Sequence, residues 1–197
     1  MIKLKKFRGE IMGNNSGCCS GNSTCCGSEK KKEQGIEQTK KKLIIDFLFL
    51  DLTVCERCQG AETNLERAVD EVSAVLNAAG YEVVVNKINV NTKELAIKHR
   101  FISSPTIRID GSDIALEVKE SVCKDCGDLC GDGNVECRVW VYEGSEYNEP
   151  PKEMIVNAIL KKVYGEKKSA VQRMKKYELP ENLKVFFEGQ EKKNSNQ

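Results

Sequence analysis

The run KLIIDFLFLDL, residues 42–52, is apolar at almost every position. A strand with one face in water alternates apolar and polar residues. A near-continuous run of this length instead suits a strand buried on both faces of a sheet. The strand is expected to end near Asp51, and the chain to fold as an α/β domain: a central mixed sheet flanked by helices. Behind it stands TVCERCQG, in which Cys55 and Cys58 form a C-x-x-C pair. That spacing serves both redox and metal chemistry, so it does not decide between them by itself.

The rest of the domain follows from periodicity. Ala61, Leu65, Ala68, Val69, Val72, Val75, Leu76 and Ala79 recur at three- and four-residue steps and predict an amphipathic helix that stops at Gly80. YEVVVNKINV reads as a second strand. Asn91 with Glu94 three residues later predicts a capping box that opens a short helix, TKELAIKHRF. SSPTIRIDGSDIALEV places two short β-rich runs around Asp110-Gly111, a dipeptide suited to a tight hairpin. CRVWVYEG is a further strand, and Pro151 precedes a helix carrying Ile155, Ala158, Ile159 and Val163 up to Gly165. The domain therefore spans 43–165. It lies between a polar, flexible tail over 1–42 and a charged tail over 166–197, where LPENLKVFFEG allows both a docked short helix and a loose end.

Charge excludes some functions. With 31 basic and 30 acidic side chains the formal net charge is +1. No global field draws the protein to nucleic acid or to an anionic membrane, and the lysine runs are interrupted by Glu and Gln. No stretch reads as a membrane span or a signal peptide, which makes the cytoplasm the expected compartment. Ten cysteines are then anomalous, because cytosolic thiols are kept reduced. They fall into three groups: Cys18, Cys19, Cys25 and Cys26; Cys55 and Cys58; Cys123, Cys126, Cys130 and Cys137. Such grouping points to catalytic or metal-binding thiols. His99, on a short helix without a ligand pattern, reads as a surface or packing residue, and Trp140 as a packing residue.

Cys55 and Cys58 lie between the first strand and the first long helix, where free N–H groups and the helix dipole favour a thiolate. Two intervening residues in a first helical turn also bring the sulfurs within disulfide reach. Arg57 favours the thiolate and Glu56 opposes it. The order strand, helix, strand, helix, hairpin, helix, together with TVCERCQGAETNLERAV, FISSPTIRIDG, CKDCGDLC, CRVWVYEG and PPKEMIVNAIL, resembles a group of thioredoxin-like proteins with a domain of unknown function. It is similar to thioredoxin-like (seleno)proteins. The resemblance covers most of 43–165 and implies a thioredoxin-like fold with a cis Ser104-Pro105 bond. It also implies a thiol-disulfide oxidoreductase in which an exposed Cys55 attacks, Cys58 resolves, and Ser104 with Pro105 shapes the groove for a protein thiol or disulfide partner. Organometal handling is the associated process, with mercury the suspected substrate. The dipeptide Glu56-Arg57 and the lack of a Trp before Cys55 depart from ordinary thioredoxin.

The glycine-rich stretch CKDCGDLCGDGNVEC lets Cys123, Cys126, Cys130 and Cys137 converge on one tetrahedral ion such as zinc. Two disulfides, or a dithiol exchanging with Cys55 and Cys58, are the competing readings. GCCSGNSTCCG sets two cysteine pairs in a polar linker, where they can fold back on a soft ion such as mercury, arsenite, copper(I) or zinc, or stay idle. No organic cofactor is implied. The leading expectation is a thiol-disulfide oxidoreductase acting in heavy-metal handling; the alternative is a protein that binds or transfers a thiophilic metal without redox turnover.

Overall fold

The computed structural model describes residues 40–115, 117–131, 135–165 and 176–195. The tail cysteines Cys18, Cys19, Cys25 and Cys26 lie outside the described residues, and so does the expectation attached to them.

Strand β1 (Lys41–Phe49) is the centre of a four-stranded sheet ordered β2-β1-β3-β4. Its continuous apolar run is explained by that place: Ile45, Phe47 and Leu48 are fully buried or nearly so. Strand β2 (Tyr81–Asn89) pairs with it in parallel, Lys41 opposite Tyr81 and Phe49 opposite Asn89. Strand β3 (Thr106–Ile109) pairs on the other side antiparallel, Phe47 opposite Ile107. The parallel connection needs a crossover. Helix α1 (Glu56–Ala78) supplies it and buries Cys58, Ala61, Leu65, Ala68, Val72 and Leu76. Gly80, at φ +81°, takes the left-handed conformation that lets the chain turn straight into β2.

Helix α2 (Lys93–Lys98) starts one residue later than the capping box predicts: Thr92, not Asn91, is the cap, its side chain accepting from Leu95 N at 3.3 Å. The peptide between Ser104 and Pro105 is cis, in line with the resemblance. The Asp110-Gly111 turn joins β3 to the two-residue strand β4 (Ser112–Asp113), with positive φ at both turn residues as a tight hairpin requires.

A second, three-stranded sheet is ordered β5-β6-β7: β5 (Lys119–Val122), β6 (Glu136–Tyr142) and β7 (Ser145–Tyr147), all antiparallel. The cysteine-rich segment is thus the connection between β5 and β6, and it carries helix α3 (Lys124–Cys130). Two bonds tie this sheet to the first. Arg138 N donates to Ser104 O at 2.7 Å, and the buried Arg138 guanidinium, stacked on Trp140, pairs with Asp113 at 2.8 Å. Helix α4 (Lys152–Tyr164) starts at the Pro151 cap and buries Met154, Ile155 and Ile159. It packs on α1. The C-terminal segment docks: helix α5 (Glu181–Ser195) buries Leu183, Phe186 and Phe187 and packs on α3. Lys193 Nζ donates to the Asp128 and Leu129 carbonyls, closing the α3 C-terminus, and Tyr177 OH donates to Phe101 O at 2.6 Å. The folded part therefore runs past residue 165. No described helix is long and apolar enough to cross a membrane.

A buried four-sulfur candidate site

Cys55 and Cys123 are both helix N-caps, with extended backbones at φ −83°, ψ 104° and φ −112°, ψ 109°. Each opens a C-x-x-C turn. Around the first, Cys58 N and Gln59 N both reach Cys55 O at 3.1 Å; around the second, Gly127 N reaches Cys123 O at 3.0 Å. Two polar links hold the turns together. Glu56 N donates to Asp125 Oδ2 at 3.0 Å. Arg57 donates to Ser121 Oγ at 2.9 Å and to Val122 O at 3.2 Å. The dipeptide between the first cysteines therefore works as a clamp on the β5–α3 segment. Asp51 braces the approach to Cys55, its carboxylate accepting from Thr53 N at 2.6 Å and Val54 N at 2.9 Å.

The result is a constellation that spacing did not predict. The sulfurs of Cys55, Cys123, Cys126 and Cys137 all lie within 4.8 Å of one another, and all four residues are buried. The expected fourth member, Cys130, stays out. Its thiol turns to Gly127 O at 3.5 Å, and its backbone lies where α5 passes at Gly189. The fourth place in the group is instead taken by Cys55, from 68 residues upstream of Cys123. Cys137 reaches the group because β6 is tied to Ser104 by the Arg138 amide, and its thiol lies 3.4 Å from the Cys126 sulfur.

Cys58 is not one of the four, but its thiol lies between Cys55 and Ser104. It is fully buried, with its sulfur 3.4 Å from Ser104 Oγ. The Ser104 hydroxyl oxygen accepts from Leu50 N at 3.1 Å, leaving its hydrogen free to point at the sulfur. Pro105 is buried beside Ser104. The exposed nucleophile expected at Cys55 is not observed: Cys55 is 0% exposed, although Thr53, Val54 and Glu56 around it are at the surface. His99 is half-buried and uses its carbonyl, which accepts from Arg108 at 2.6 Å; Trp140 packs, as its sequence position suggests.

Hydrogen bonding sorts the thiols into two kinds. Cys55 is pushed far below the ordinary thiol range, chiefly by hydrogen bonds from Cys123, then Cys126, Cys137 and Cys58. Cys123 is lowered by Cys126 and then Cys137. Cys126 and Cys137 are pushed up, each first by its bond with Cys123; Cys58 is pushed up first by its bond with Cys55 and then by burial. Cys55 and Cys123 are thus the two cysteines driven toward the thiolate, with Cys123 the chief donor to Cys55. The first also sits at the positive end of α1.

The set fits one ion. A metal–sulfur distance of about 2.3 Å places the corners of a tetrahedron about 3.8 Å apart. Sulfurs confined within 4.8 Å of one another need only small shifts to meet it. The family described as "Domain of unknown function (DUF2703)" matches residues 43–159. The chain belongs to this DUF2703 family. The match runs from Leu43 within β1 through β7 and into α4, hence includes all four clustered cysteines and Cys58, while α5 lies beyond it. Comparison with curated proteins gave no match, and comparison with solved structures gave none.

Proposed function

We propose that this protein binds one thiophilic metal ion, with zinc as the first candidate, through the thiolates of Cys55, Cys123, Cys126 and Cys137 on a thioredoxin-like scaffold. The observation that carries the metal reading is the convergence of four buried sulfurs from two separate segments, together with their hydrogen-bonded thiolate–thiol pattern. Four buried thiols in contact are awkward for a metal-free core. They are well suited to a soft or borderline cation, which replaces the protons and joins both segments. The scaffold reading is supported by the β2-β1-β3-β4 order, by a C-x-x-C turn opening the first long helix, and by the loop at Ser104-Pro105 next to it.

The test is metal analysis of anaerobically purified protein, with cobalt(II) as a spectroscopic substitute. The wild type should carry one equivalent more than Cys126→Ser, and its cobalt form should show thiolate-to-metal charge transfer and tetrahedral ligand-field bands that Cys126→Ser lacks. Equal metal content and equal spectra would defeat the reading.

A second reading, thiol-disulfide exchange by Cys55 and Cys58, is favoured by the Cys58 thiol lying against Cys55 and Ser104. Under it, the partner is a protein thiol or disulfide, and Cys58→Ser should trap mixed disulfides. Handling of mercury or arsenite in the cytoplasm is compatible with either reading, because both ions are captured by vicinal thiolates.

A further inference from the structure

Five thiols meet around four ligand positions, and one of the four belongs to two groupings at once. Cys55 is a corner of the sulfur cluster and also the first cysteine of the α1 turn. Cys58, one turn into the helix, is fully buried, lies outside the cluster and rests on Ser104 Oγ. A site that only held a metal would have no use for a buried thiol beside one of its ligands. Cys130 shows the contrast: it is also a spare thiol, but its sulfur turns to Gly127 O, whereas that of Cys58 lies against Cys55.

We propose that Cys55 and Cys58 form a peroxide-operated release for the bound metal. This rests on the tetrathiolate reading above. The co-reactant is hydrogen peroxide, small enough to enter where the exposed Val54 and Glu56 flank Cys55. The Cys55 sulfur attacks one peroxide oxygen and the O–O bond breaks, giving a sulfenic acid at Cys55 and hydroxide. The Cys58 sulfur then attacks the Cys55 sulfur; the S–O bond breaks, and the departing hydroxide leaves as water with the Cys58 proton. Two electrons pass from the dithiol to peroxide, and one disulfide, one water and one hydroxide result. A disulfide sulfur is not a thiolate ligand, so the metal is left with Cys123, Cys126 and Cys137 and an open coordination position. An acceptor can then take it. Reduction of the disulfide by a dithiol restores the fourth ligand.

The experiment uses the full-length, reduced, zinc-loaded protein treated with hydrogen peroxide. Released zinc is followed with a chromogenic chelator, and disulfides are mapped by alkylation and mass spectrometry. Cys126→Ser serves as the control for zinc held elsewhere in the chain. The expected result is one equivalent of zinc released in step with a Cys55–Cys58 disulfide, rebinding after dithiothreitol, and release at least tenfold slower in Cys58→Ser. Release at the wild-type rate from Cys58→Ser overturns the proposal. So does release from the wild type accompanied by a Cys123–Cys126 or Cys126–Cys137 disulfide while Cys55 and Cys58 stay reduced. Mapping in the wild type decides the matter even if Cys58→Ser fails to fold. Zinc that binds and stays bound after Cys55 and Cys58 have oxidised overturns the release alone. Reduced wild type holding no more zinc than Cys126→Ser overturns the tetrathiolate reading and the release with it.

Discussion

The two C-x-x-C turns begin alike and end differently. Both place their first cysteine at a helix N-cap, and both first sulfurs join the cluster. The second cysteines part company: Cys126 is a member of the cluster, whereas Cys58 stays outside it, against Cys55 and Ser104. The helices behind them explain the difference. Helix α1 has 23 residues and is anchored by its apolar face, so its orientation is fixed by the sheet it covers. Helix α3 has seven residues, too few to be stable by themselves, and is pinned by α5 and by its own cysteines. The first turn is held by the core and lends one sulfur; the second is held by α5 and by the contacts among its cysteines.

The largest expected effect separates the two second cysteines. Cys126→Ser removes a ligand and should weaken metal binding by more than the roughly 10–100-fold that loss of a partner behind the ligands costs. It should also loosen α3 while the four-stranded sheet stays folded. Cys58→Ser should leave the affinity within a fewfold of wild type. Competition titrations with a chromophoric chelator, with hydrogen exchange to locate the loosening, would check both. Equal losses would erase the distinction between the turns.

Acid should act next. Cys126 and Cys137 are held protonated through neutral pH by their hydrogen bonds, so a divalent ion has to displace both protons. Cys55, pushed far down, releases none, and Cys123, also shifted down, releases less than an ordinary thiol would. Binding therefore releases at least two protons but fewer than four, and affinity should rise with pH and fall on acidification by about a hundredfold or more per unit near neutrality. Proton release measured by calorimetry in buffers of different ionisation enthalpy gives the number directly. A value near four would mean that the thiolate pattern is wrong.

Much of the fold was legible in the sequence, and the site was only half so. The β1 run, the α1 period, the Asp110-Gly111 hairpin and the α4 start are local signals, each written within one element. The choice of Cys55 over Cys130 is not local. Cys126 and Cys130 stand four apart and would share a helix face, which makes their joint use an attractive reading of the segment. What removes Cys130 is the passage of α5 against its backbone, a contact between residues 59 apart in the chain. What brings in Cys55 is the bond of Asp125 to the α1 N-terminus. A hint was present in the repetition of C-x-x-C before two helices, because repeated turns can present matching sulfurs to each other.

The α3–α5 contact can be broken on its own. A methyl group at Gly189 would stand 2.6 Å from Cys130 O and 2.7 Å from Cys130 Cβ. Gly189→Ala should therefore cost about 1–3 kcal/mol through overpacking, seen as a lower unfolding midpoint and faster exchange in α5. Metal affinity should fall less than tenfold, because the ligands of α3 lie at its start and Gly189 meets its end.

The smallest effect tests the clamp between the turns. Cys55 is the one cluster sulfur, among the described residues, that comes from the first turn, and its placement beside the other three relies on Glu56 N to Asp125 and on Arg57 to Ser121 and Val122. Each bond contributes about 0.5–1.5 kcal/mol, since water competes for groups this close to the surface. Asp125→Ala and Arg57→Ala should each lower metal affinity by roughly 2- to 12-fold without changing the stoichiometry. Because both act by placing the same sulfur, the double variant should lose less than the sum of the two, a coupling that a double-mutant cycle would read. Additive losses would mean that the two links hold different things, and no loss from either would leave Cys55 positioned by the core alone. The same variants carried into Cys55→Ser should have no further effect on the remaining affinity, because the sulfur they serve is gone.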